Sequence, residues 1–129
     1  MAIPSDSGSE VLRTSLLPTV SNSYLDLITV VNNHIYTVLS ITVFEKDGIA
    51  THTFNMSITD GSAEYYILLD QALPIKGTFI FNDKLVLNGA DMNTKTAGTN
   101  NWKLRVKSST AAASGGISVI CSYIDQNWT

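Results

Sequence analysis

Apolar and polar residues alternate along most of this chain with a period of two, the pattern of strands that bury one face and wet the other. Within 36–45, Leu39, Ile41 and Val43 share one face, while Ser40, Thr42 and Phe44 share the opposite one. Within 51–59, Phe54, Met56 and Ile58 alternate with Thr53, Asn55 and Ser57; further on, Trp102, Leu104 and Val106 alternate with Lys103, Arg105 and Lys107. Ile117, Val119, Cys121 and Tyr123 make the apolar stripe of a last strand. These runs are rich in Val, Ile, Thr, Tyr and Phe and are bounded by Gly, Asn and Asp. They predict strands over 23–31, 36–45, 51–59, 64–70, 77–81, 84–88, 101–107 and 116–125. Asp47-Gly48 predicts a tight hairpin joining 36–45 to 51–59, and Asp60-Gly61-Ser62 a turn leading into 64–70. About eight short strands without a helical stretch predict an all-β chain, an antiparallel β-sandwich that is jelly-roll or Ig-like in outline.

Residues 1–20 sustain neither periodicity: small polar residues, Gly8 and two prolines separate short apolar clusters. A purely solvated tail has little use for Ile3, Val11, Leu12, Leu16 and Leu17, so these residues, with Pro4, are expected to anchor an extended arm on a partner. Fully extended, such an arm reaches on the order of 65 Å. The organisation expected is therefore an N-terminal extended arm, 1–20, and a β-sandwich domain, 21–129. Removing residues 2–17 is expected to leave a folded domain. The polar segment 89–100 and the low-complexity segment 108–116 are expected to be exposed loops, gathered at one end of the sandwich. Near the C-terminus, Trp128 either covers its own core or anchors a subunit contact.

Composition narrows the function classes. A chain of 129 residues with 44% apolar and 15% charged residues suits one folded domain. A net charge of −3 gives no positive field to draw nucleic acid or anionic lipid, and no run is apolar enough for a membrane helix, so neither partner is expected. The N-terminus lacks the basic and apolar regions of a signal peptide. The one cysteine, Cys121, excludes an internal disulfide and a thiolate-rich zinc site, which suits assembly in a reducing cytoplasm.

Candidate chemistry is sparse. His34 and His52 are the general-base candidates near neutral pH, and Cys121 is the thiol for either to serve across the fold; its place on an apolar stripe favours a buried hydrophobe instead. Asp60 and Glu64 flank a turn without a calcium-loop spacing, and no metal motif or phosphate loop occurs. Lys103, Arg105 and Lys107 put three cations on one strand face, able to touch phosphate or to pair with acidic neighbours. Trp102, Tyr24, Tyr36, Tyr65 and Tyr66 could supply stacking faces to a carbohydrate-binding module. The sequence implies no enzyme, no cofactor and no metal.

Three segments carry a family likeness: MAIPSDSGSEVLR at the start, YILLDQALPIKGTFIFNDKLVLNGAD in the middle and SYIDQNWT at the end. The chain resembles small virion structural proteins of tailed bacteriophages, particularly those of cyanobacteria and other marine hosts. That resemblance implies a virion accessory protein with a β-sandwich body, serving on heads as decoration or cement, or on necks and tails as adaptor or fibre base. It carries over no catalytic residue. The expectation is a capsid decoration protein assembled in the host cytoplasm, bound to the major capsid protein or other virion proteins, and a homo-oligomer such as a trimer.

Overall fold

The computed structural model describes residues 9–48, 51–89, 101–108 and 116–127. Among these residues the chain forms nine strands: β1 (Ser9–Leu17), β2 (Leu25–Thr29), β3 (His34–Glu45), β4 (His52–Thr59), β5 (Glu64–Leu73), β6 (Thr78–Phe81), β7 (Leu85–Asn88), β8 (Lys103–Ser108) and β9 (Ile117–Asn127). One sheet has the order β1-β9-β3-β6, with β7 also pairing β3; the other has the order β2-β8-β4-β5. All pairings are antiparallel. The fold is the antiparallel β-sandwich expected from the alternation.

Its connectivity is that of a jelly roll. β6 and β7 lie end to end along β3, interrupted at Asn82-Asp83-Lys84, and act as one strand. The pairing is then nested: β1 with β9, β2 with β8, β3 with β6 and β7, and β4 with β5. That is a single long hairpin rolled up into two sheets.

Two local readings of the sequence are corrected. The Asp47-Gly48 segment does not close a hairpin, because β3 and β4 belong to different sheets. Glu45 explains the detour: it is fully buried, and its carboxylate accepts backbone N–H groups from Asp47, Gly48 and Lys76, so the chain is turned toward the second sheet. The alternation of β3 also changes phase, because a bulge between Val38 and Ser40 shifts its register with β9. Tyr36 and Val38 face the core before the bulge, Ile41 and Val43 after it, and Leu39 is left half-buried.

The core lies between the sheets, with Val38, Ile41, Val43, Ile117, Val119 and Cys121 meeting Leu27, Ile28, Phe54, Met56, Leu104 and Val106. Phe54 meets Phe79 edge-on at 5.6 Å between ring centres. At one end of the core Tyr36 lies against Tyr123, 4.8 Å between centres, and burial pushes both phenols up from their ordinary pKa. There the chain also crosses itself tightly: a Cβ at Gly89 would sit 2.0 Å from the Val31 carbonyl oxygen, so only glycine fits. Residues 90–100 and 109–115, most of the two segments expected to be loops, lie outside the described residues.

The segment assigned to an arm is placed differently from a free extension. Residues 9–17 lie along β9 in unbroken register, from Ser9 opposite Asn127 to Leu17 opposite Val119. Within the chain they are therefore an edge strand of the sandwich. Ile3, Pro4 and Trp128 lie outside the described residues, as do most of the two predicted loops.

Candidate functional site

The groups that could do chemistry are each committed to the fold. Cys121 is fully buried between the sheets, and burial alone pushes its thiol up to about 12. A thiol held protonated in this way is no nucleophile near neutral pH. His34 turns instead to Asp125: its Nδ1 donates to Oδ1 at 2.5 Å, while Arg13 Nε donates to Oδ2 of the same carboxylate at 2.8 Å. Asp125 is buried, so one carboxylate of β9 ties β1 and β3 to its two sides. The Arg13 guanidinium is held above its ordinary pKa first by that hydrogen bond and then by the charge of Asp125.

A second grouping was not legible in the sequence: Glu45, Asp47 and His52 bring donor atoms within 4.8 Å of one another. His52 Nε2 lies 2.8 Å from Asp47 Oδ2 and 3.4 Å from Glu45 Oε2. Both neighbours are carboxylates, so this nitrogen carries the proton and donates. Glu45 already accepts three backbone N–H groups, and the cluster reads as the lock of the turn between the sheets. The Asp60 turn is likewise self-contained. Asp60 Oδ1 accepts from Ser62 N, Ser62 Oγ and Ala63 N, which hold its carboxyl below the usual range, while Glu64 is engaged by Ser57 and Arg105.

The three cations of β8 are paired. Lys103 lies 3.3 Å from Asp26, and Arg105 lies 3.2 Å from Asp26 and 3.4 Å from Glu64. Lys107 and Arg105 sit over the ring of Tyr24, 4.9 and 5.3 Å from its centre. The same contact occupies a face of Tyr24. Of the other candidate stacking rings, Tyr36 is buried and Trp102 packs on the core; Tyr65 and Tyr66 are exposed but adjacent in β5, where successive side chains diverge.

The feature that stands out is the outer face of the first sheet. Register carries one apolar row across it, from Leu16 to Ile120, Thr42 and Ile80, and a second from Leu12 to Ile124, Thr37 and Val86. Between them runs a row of small hydroxyls, Thr14, Ser122 and Ser40; Phe44 extends the face at one end. Leu12, Leu16 and Ile80 are 73%, 64% and 61% exposed. Among the described strand positions of this face Glu10 is the single charge. Of the residues proposed as arm anchors, Leu12 and Leu16 stand on this face, Leu17 packs on the core, and Val11 is partly exposed at the edge. Sequence reasoning found the leucines but not the sheet they join.

No family model matches the chain, and neither does any curated protein. Solved structures do share its fold. A chain of the T13 particle of infectious bursal disease virus is 12% identical with a TM-score of 0.55, over 95% of this chain and 32% of that one. The T=1 particles derived from the same virus match with the same values. The chain thus spans about a third of the length of these bursal-virus chains. A capsid chain of the Helicobacter pylori bacteriophage KHP30 is 13% identical over 92% of this chain and 91% of that one, with a TM-score of 0.48, too low to establish a common fold. At such identities the likeness is one of fold alone.

Proposed function

We propose that this chain is a structural protein of a bacteriophage particle, and specifically a decoration protein that sits on the outside of the head. The observation that carries this reading is the uncovered apolar outer face of the first sheet. Large exposed apolar side chains in adjoining rows, nearly free of charge, mark a surface made to be covered. The jelly-roll fold, shared with chains of a viral particle, and the likeness of three segments to phage virion proteins support the same assignment. Its partners are the major capsid protein or other virion proteins, with the segment before β1, including Ile3 and Pro4, reaching onto a neighbour. On the head, rather than free in solution, a symmetric oligomer such as a trimer, with Trp128 at a subunit contact, fits decoration.

Quantitative mass spectrometry of purified particles tests this. Hundreds of copies per particle, lost from heads stripped of accessory proteins and regained on adding the purified chain, are expected. A dozen or fewer copies would move the protein to the neck or tail. Its absence from particles would end the assignment.

A further inference from the structure

The four sheet edges are not equivalent. β2 has five residues and a bulge. β5 is broken by two register shifts and by Asp70 in the left-handed region, and Pro74 follows it. β6 and β7 have four residues each with a break between them. Such interruptions keep edges from recruiting other strands. β1 has none of them: nine residues in continuous register with β9, without proline, lysine or bulge, and with no described strand on its other side.

The side chains of β1 also fit a second copy of themselves. In an antiparallel pair about a two-fold axis at Thr14, Leu12 of one copy lies opposite Leu16 of the other on the outer face. On the inner face Val11 lies opposite Leu17, and Arg13 opposite Ser15. Moving the axis to Arg13 would set two guanidinium groups against each other and Glu10 against Leu16. Moving it to Leu12 would take Leu16 and Leu17 out of the pairing altogether. Axes between residues would set core-facing side chains opposite solvent-facing ones. The Thr14 register alone matches apolar to apolar on both faces and joins the apolar rows of two copies into one surface.

We infer that β1 is a self-association edge: two copies pair β1 against β1, antiparallel about Thr14, so that the first sheet runs through both. This inference does not rest on the assignment to a particle. A strand pair of this length buries less surface than a standard interface, so the free dimer is weak, with a Kd of roughly micromolar order.

Sedimentation of the full chain across the micromolar range is expected to show a reversible monomer–dimer equilibrium. Thr14 is exposed, so Thr14→Lys should leave the thermal unfolding curve unchanged while setting two ammonium groups opposite each other, raising the Kd by about tenfold or more. Thr78→Lys, on the same face at the far edge, should leave the dimer intact. Under mild oxidation Thr14→Cys should form a covalent dimer, since directly opposed Cα atoms stand about 4.5–5.5 Å apart. Leu12→Cys should not, because its two-fold mate is four residues along, about 13 Å away. A chain that stays monomeric throughout, a dimer dissociated by Thr78→Lys rather than Thr14→Lys, or equal cross-linking of both cysteine variants would overturn the inference.

Discussion

Asp125 has both carboxylate oxygens committed, one to His34 on β3 and one to Arg13 on β1, and is almost wholly screened from water. With Asp125→Ala the mostly buried His34 Nδ1 loses its acceptor while the half-exposed Arg13 turns to solvent, so the expected loss of stability in denaturant unfolding is about 1–3 kcal/mol. Arg13→Ala should cost clearly less, because Arg13 is half exposed and the carboxylate keeps its bond to His34. A fully tolerated Asp125→Ala would show that the carboxylate does not clamp the sheet. Nothing in the sequence announces this cluster. Arg13 and Asp125 are 112 residues apart and meet only because β1 and β9 are neighbours, so the one group flagged in advance was His34, for a different role.

At the scale of elements, eight strands were legible and β1 was not, for a physical reason. Alternation is visible when one face is apolar and the other polar. β1 carries Leu12 and Leu16 on its outer face, Val11 and Leu17 on its inner face, and Arg13 directed inward to Asp125, so the contrast cancels. The same cancellation hid the outer face of the first sheet, which is assembled from five strands by register and is invisible in any one of them. The β3–β4 connection failed differently: an Asp-Gly pair signals a sharp turn, not whether the chain stays in its sheet, and the buried Glu45 decides that. Placing β1 in the sheet changes what a truncation does. Deleting residues 2–17 removes a nine-residue ladder, the packing of Leu17 and the Arg13 partner of Asp125. The expected result is a loss of at least about 3 kcal/mol or outright aggregation through the exposed edge of β9. Deleting 2–8 keeps that ladder, Leu17 and Arg13 and should lower the melting temperature less than deleting 2–17. Equal melting of both truncations and the full chain would mean that β1 contributes nothing to the fold.

Seen whole, the molecule has two unlike outer faces. The second sheet exposes Tyr65, Tyr66 and Leu69 on its edge strand β5 but pairs its charges at home: Asp26 against Lys103 and Arg105, Glu64 against Arg105, and two cations over Tyr24. With a net charge of −3 and these pairs closed, that side has little free charge to offer a partner. The first sheet presents apolar rows carrying the single charge of Glu10 among the described strand positions. Attachment through the first sheet would draw on desolvation of Leu, Ile and Val side chains, and such binding does not weaken when salt screens charge. Binding of the purified chain to stripped heads should therefore persist, or tighten, as ionic strength rises from about 0.01 to 1 M, where the screening length falls from about 30 to 3 Å. Ile80→Lys should weaken it by roughly tenfold or more with the fold intact, since the ammonium must be dehydrated on docking. Lys103→Glu, on the opposite face, should leave it unchanged. Release by salt, or loss of binding in Lys103→Glu with Ile80→Lys unaffected, would transfer the docking surface to the second sheet.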